Sequence, residues 1–107
     1  MCGIAGIIWP EREYLHKEQT LINFIAAQEK RGPDESGFFY DDFIGLAHNR
    51  LSIIDPGNAS QPFYDKSQGT ILIFNGEIFN FNDFRQELIN DGYPIRYNSD
   101  TEIFYYL

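Results

Sequence analysis

At 107 residues the chain is one small domain or part of one, and its 43% hydrophobic and 17% aromatic content supplies a globular core, which excludes a disordered segment. Sixteen acidic residues against eight basic ones, a formal net charge of -8, argue against nucleic acid or an anionic membrane as partner, since both call for Lys/Arg patches. A single cysteine, Cys2, cannot close an intramolecular disulfide, and neither a bilayer-length apolar run nor a basic-then-apolar leader is present, so the expectation is a reducing, cytoplasmic compartment.

Residues 2–9 are small and apolar, closed by Pro10, and read as a buried strand in which Gly3 and Gly6 let another backbone or a ligand come close. Residues 11–20 read as a polar loop running into a helix. The helix runs as far as Gln28, with Leu21, Ile22, Phe24, Ile25 and Ala26 grouped on one face. Arg31-Gly32-Pro33-Asp34 is a helix stop: Gly32 suits a left-handed C-terminal cap, and Pro33 cannot continue the helix. Residues 37–40 and 43–47 read as a hairpin turning at Asp41-Asp42, with residues 50–54 continuing the second strand or following a break. Asp55-Pro56-Gly57-Asn58 is the strongest turn signal, and residues 59–68 read as a mobile surface loop. The run Ile71-Leu72-Ile73-Phe74 suits a fully buried strand. Beyond it, Asn82 or Asp83 would cap a helix through Asn90 that faces Phe84, Leu88 and Ile89 inward and stops at Asp91-Gly92. After a brief extended piece over residues 93–97, Ser99 or Asp100 would cap a last helix over residues 101–107.

Chemistry concentrates at the head of this order. Once Met1 is removed, Cys2 carries a thiol and a free α-amine on one residue. Such an amine titrates near ~7.7–8.0 and a free thiol near ~8.5, so near neutral pH the amine can take the thiol's proton. That pairing is a route to covalent catalysis. Taken alone, a lone cysteine more often serves as a small buried hydrophobe.

Six segments in order resemble the opening half of a class II glutamine amidotransferase domain. They are residues 1–6 (Met-Cys-Gly-Ile-Ala-Gly), Arg31-Gly32-Pro33-Asp34 with Ser36-Gly37, residues 47–55 (Ala-His-Asn-Arg-Leu-Ser-Ile-Ile-Asp), Gln61-Pro62, Asn75-Gly76-Glu77-Ile78 and Ser99-Asp100-Thr101-Glu102. Their order and spacing are most similar to the glutaminase domain of glutamine-hydrolysing asparagine synthetases. The resemblance covers the whole chain and implies an α+β fold of the N-terminal nucleophile hydrolase type, an αββα sandwich in which two antiparallel sheets stack between helices. It implies that the Cys2 thiolate attacks the side-chain amide of glutamine, giving a thioester and ammonia, and that water then releases glutamate. Ammonia would pass to a second active site, for asparagine synthesis from aspartate or for another acceptor.

The resemblance also distributes roles. Asn75, through its side-chain N–H, and Gly76, through an unobstructed backbone N–H, would hold the oxyanion; losing one such donor costs ~10²–10³ in rate. Asn-Gly between apolar runs is also a hairpin signal. Glutamine is a zwitterion, so Arg50 would pair its α-carboxylate in two-pronged fashion and Asp100 would accept from its α-ammonium, with Glu77 assisting. The alternatives are an arginine on an exposed strand edge and an aspartate that only caps the last helix. The backbone of Leu51, Ser52, Ile53 and Ile54 would touch the same ligand. Arg31 and Asp34 would shape the floor near Cys2, and residues 59–63 would close over the ligand. A Cys2 dyad with His48 or His16 is set aside, because the amine already supplies a base. No metal-ligand spacing is present; no cofactor is expected in this chain, and ATP and Mg are implied only for a synthetase domain that it does not contain.

Two positions depart from the family pattern. Lys30 stands where histidine is usual, and Phe79 where tyrosine is common. The larger departure is length, since the family domain is roughly twice as long and its second half supplies strands of both sheets. The chain is then a fragment, or a short form completed by dimerisation or by a partner chain, and its uncovered apolar faces favour association into a homo-oligomer. The alternative to an enzyme is a non-catalytic glutamine-binding or assembly module.

Overall fold

The computed structural model describes residues 1–51 and 60–107, which form β1 (Gly3–Ile8), α1 (Lys17–Ala27), β2 (Glu35–Tyr40), β3 (Ile44–Arg50), β4 (Phe63–Tyr64), β5 (Ile71–Leu72), α2 (Phe81–Asn90) and α3 (Asp100–Tyr106). The mixed α and β content with antiparallel sheets agrees with the sequence reading. A three-stranded sheet has the order β1-β3-β2, and a two-stranded sheet pairs β4 with β5. The turn cluster at Asp55-Pro56-Gly57-Asn58, and Ser52, Ile53 and Ile54, lie outside the described residues.

Register explains which side of the main sheet does what. Gly3, Ala5 and Ile7 pair with Asn49, Ala47 and Gly45, while Ile4, Gly6 and Ile8 pair with His48, Leu46 and Ile44. Partners across a ladder share a face, so one face carries Ala5, Ile7 and Ala47 and the other carries Ile4, Ile8 and His48. The first face buries against α1. Leu21 and Ala47 are fully enclosed, Trp9 joins them, and Ala5, Ile7, Phe24 and Ile25 pack around the three. Gly45 is glycine because the Trp9 ring occupies its place: a Cβ would stand 2.5 Å from Trp9 Cζ2. On the second face Ile4 is 49% and Ile8 81% exposed.

The β2–β3 turn forms at Asp41-Asp42 as expected. Asp41 Oδ1 accepts the N–H groups of Phe43 and Ile44, each at 2.8 Å. Those backbone donors, Ile44 first, hold its carboxyl below the ordinary carboxylate range. Helix α2 ends in a Schellman motif: Gly92 takes φ +91°, its N–H donates to the Ile89 carbonyl at 3.1 Å, and the Tyr93 N–H donates to the Leu88 carbonyl at 3.0 Å.

Several expectations need correction. Gly32 is not a left-handed cap, since positive φ among described glycines is confined to Gly69 and Gly92. Its role is close approach, because a Cβ on Gly32 would stand 2.4 Å from the Asn49 carbonyl carbon. Residues 60–68 are not simply a loose loop, since Phe63 is buried in β4 and pairs with Leu72. The strand at residues 71–74 is only two residues long and half-buried. Ile89, expected to face inward, is 38% exposed.

Candidate functional site

Cys2 stands one residue before β1, half-buried, with its carbonyl 3.5 Å from Arg31 Nε. Gly3 pairs with Asn49, so one further step of the register sets Cys2 opposite Arg50 at the end of the central strand. On the other side of β3, Arg50 pairs with Glu35. Cys2 therefore leads into β1 at the same end of the sheet where Arg50 and Glu35 pair. Arg50 Nη1 donates to Glu35 Oε2 at 3.3 Å, with the arginine side chain 12% and the glutamate 40% exposed. A mostly enclosed arginine on a central strand is not the exposed edge residue of the alternative reading. Glu35 was missed in the sequence, and only the cross-strand register brings it to Arg50.

Behind this pair the backbone is wedged. Gly32 lies against the Asn49–Arg50 peptide, and the Asp34 N–H donates to the Arg50 carbonyl at 3.0 Å. Asn49 is 2% exposed and spends its side chain on α1: its Nδ2 donates to the Ile25 carbonyl at 3.1 Å, and its Oδ1 accepts from Gln28 Nε2 at 2.8 Å. Gln28 lies beside Gly3, where a Cβ would be 2.8 Å from the Gln28 Cδ. The Arg-Gly-Pro-Asp segment thus steadies the ends of β1 and β3 at the position of Cys2.

Asn75, Gly76 and Glu77 follow β5 as an exposed segment leading into α2. Gly76 has no positive φ and no strand pairs across it, so Asn75-Gly76 is not the type I′ hairpin turn. The ends of the segment are tied down. Phe74 bonds to Gln61 and His48, and the Ile78 N–H donates to Asp100 Oδ2 at 3.0 Å. Asp100 lies within the first turn of α3, whose N-cap is Ser99, and no side chain caps that helix. The capping role therefore fails for Asp100, and its carboxylate instead meets the segment that carries Asn75, Gly76 and Glu77.

His48 is 1% exposed, with Nε2 3.3 Å from the Phe74 carbonyl. Burial lowers its pKa, partly offset by that hydrogen bond. Leu51 is half-buried just past β3, Arg31 and Asp34 are exposed, and Phe79 is 89% exposed. Among the described residues no group of three or more His, Cys, Asp or Glu is placed to hold a metal ion, and no helix is long and apolar enough to cross a membrane.

Two further polar groups, Glu102 and Gln61, escaped sequence reading. Glu102, 1% exposed, accepts N–H groups from Arg96 at 3.1 Å and from Tyr97 at 2.7 Å, which folds residues 96–97 onto α3. Gln61, in the segment read as a closing loop, links the stretch just past β5 to α3: its Oε1 accepts from the Phe74 N–H at 2.6 Å and its Nε2 donates to Thr101 Oγ1 at 3.4 Å. A Glu three positions after the helix N-cap Ser99 was the available signal for the first; nothing local marked the second.

A thiol that heads a strand, at the sheet end where an enclosed arginine pairs with a glutamate, defines a candidate thiol-dependent site on an α and β scaffold. The chain belongs to the glutamine amidotransferase domain family, whose model matches residues 1–107. It is 37% identical over 105 residues to asparagine synthetase [glutamine-hydrolyzing] 1 of Bacillus subtilis (strain 168), covering 96% of this chain and 17% of the relative. It is 35% identical over 107 residues to asparagine synthetase [glutamine-hydrolyzing] of Sandersonia aurantiaca, covering 100% and 20%. With asparagine synthetase B [glutamine-hydrolyzing] of Escherichia coli (strain K12) it shares 34% over 103 residues, covering 96% and 18%. The chain thus spans no more than about a fifth of the length of these relatives.

Proposed function

We propose that this chain carries the nucleophile and part of the glutamine pocket of a cytoplasmic glutaminase that supplies ammonia for asparagine synthesis from aspartate. The observation that carries the reading is the match to the amidotransferase family throughout the chain, and it is supported by Cys2 leading into β1 at the sheet end where Arg50 and Glu35 pair. Met1 is 74% exposed, so its removal disturbs no packing and frees the Cys2 amine. That amine takes the thiol proton, and the thiolate adds to the amide carbon. Asn75 and Gly76 hold the oxygen that becomes negative. Collapse breaks the C–N bond, and the proton passes from the amine to departing ammonia. Water, deprotonated by the same amine, then cleaves the thioester to glutamate. Arg50 binds the α-carboxylate of glutamine, with Glu35 fixing the guanidinium plane, and Asp100 and Glu77 take the α-ammonium. The Leu51, Ser52, Ile53 and Ile54 backbone completes the pocket; Arg31 and Asp34 support it.

The open face bearing Ile4 and Ile8 fits a four-layer N-terminal nucleophile sandwich whose second sheet is supplied by further chain, a partner or a second copy. A synthetase domain outside these residues would bring ATP and Mg. The same open face favours a second reading, an assembly module that binds glutamine without turnover. Labelling by a glutamine-derived diazoketone tests the first: mass spectrometry should place the adduct on a Cys2 that begins the mature chain. Retained Met1, or glutamine binding without ammonia release in the full-length protein, would sink it.

A further inference from the structure

We infer that Gln61 and His48 form a two-point clamp that aims Asn75 at the oxyanion; this rests on the role proposed above for Asn75. The Phe74 N–H donates to Gln61 Oε1 at 2.6 Å, and the Phe74 carbonyl faces His48 Nε2 at 3.3 Å. Both polar groups of the residue immediately before Asn75 are therefore held by side chains. They need to be, because β5 ends at Leu72 and no ladder orients the two residues beyond it. A side-chain donor on an exposed segment stabilises developing charge only if it is fixed before the charge appears.

The clamp is itself anchored. His48 lies in the central strand, almost fully buried, two residues before Arg50. Gln61 is seated on β2 at Gly37: a Cβ there would stand 2.3 Å from the Gln61 carbonyl oxygen, so only glycine admits this approach. Its Nε2 reaches Thr101 Oγ1 at 3.4 Å in α3, next to Asp100, which holds Ile78 N–H. The segment between Phe74 and Ile78 is thus tied to the main sheet at one end and to α3 at the other. Gln61 and His48 touch no substrate atom in this scheme; they are positioning residues, and they couple the Asn75 donor to the strand that carries Arg50.

The test uses the full-length protein and compares Gln61→Met, which loses the acceptor for Phe74 N–H, with Gln61→Glu, which keeps it. Ammonia release in Gln61→Met should fall about 30- to 100-fold in kcat, with KM for glutamine changed less than about threefold. Alkylation of Cys2 by iodoacetamide, which needs no oxyanion site, should proceed at the wild-type rate. Gln61→Glu should recover most of the loss. A purely structural glutamine would move KM, alkylation and melting temperature together, and Gln61→Glu would not rescue. Wild-type kcat in Gln61→Met, or equal defects in both variants, overturns the clamp. Should Gln61→Met fail to fold, His48→Leu against His48→Gln puts the same question at the Phe74 carbonyl, and equal kcat in that pair overturns it too. Cys2→Ala separates the levels: if it still releases ammonia at the wild-type rate, the glutaminase reading fails, whereas a dead Cys2→Ala beside an unaffected Gln61→Met sinks the clamp alone.

Discussion

Around α1 the protein is held by close packing of small and apolar groups. Leu21, Trp9 and Ala47 enclose one another, and Gly32 and Gly45 admit neighbours that no Cβ would allow. Around α3 the fastening is different in kind. Ring pairs such as Phe63–Tyr105 at 5.0 Å and Phe74–Phe104 at 5.2 Å share the work with buried polar keys. Glu102 accepts from residues 96 and 97, Gln61 from Phe74, and Asp100 from Ile78. The first region needs the right volumes; the second needs the right donors and acceptors. A nucleophile gains from the first arrangement, which fixes a strand end. An oxyanion donor on an exposed segment requires the second.

The comparison breaks most readily at Leu21. Leu21→Ala leaves a cavity under the whole main sheet and should cost about 2–5 kcal/mol, read by chemical denaturation. Gly32→Ala should cost about 3 kcal/mol, because backbone of Asn49 and Arg50 would have to give way. It should also displace Cys2 relative to Arg50, seen as weakened glutamine binding. If both variants lose less than 1 kcal/mol of about that scale, volume is not what holds this region.

These differences also decide what could be read from the sequence. The strand at residues 3–8, the hairpin around Asp41 and the Gly92 helix stop are written locally, in apolar alternation and turn chemistry, and they are where expected. Gly32 is legible as glycine but not as to purpose, since the backbone that demands it lies in β3, seventeen or so residues on. The pairing of Arg50 with Glu35 follows from register, which pattern alone leaves open by a residue, and one slip would turn Arg50 toward α1. Asp100 stands at a helix start, where a cap competes with the ligand-binding reading; its partner, Ile78, is fixed only by how α3 meets the segment before α2. Glu102 and Gln61 are satisfied by partners that no periodicity announces.

A smaller effect tests the polar region directly. Glu102→Gln keeps the shape but weakens acceptors for three short contacts to the Arg96 and Tyr97 N–H groups, and should cost about 1.5–3 kcal/mol. Hydrogen exchange should quicken at those two amides before any change near Leu21. Simultaneous loosening of both regions would mean that they are one cooperative unit.

The least disruptive probe lies at the far end of α3. Tyr106 Oη donates to Asp65 Oδ2 at 2.9 Å. Burial, and then that bond, push the Tyr106 phenol from 10.0 up to about 12. The folded value lies above the unfolded one, so the stabilisation is complete below about pH 10 and is lost as pH rises through about 12. Absorbance titration should resolve a phenol ionising near 12 that is missing from Tyr106→Phe, and Asp65→Asn should bring it down. At neutral pH Tyr106→Phe should do little, since Asp65 keeps the Ser67 N–H and hydroxyl at 2.9 and 2.8 Å. If Tyr106→Phe instead matched Glu102→Gln in cost, the keys of the second region would act as one network, and removing any of them, Gln61 included, would loosen the others.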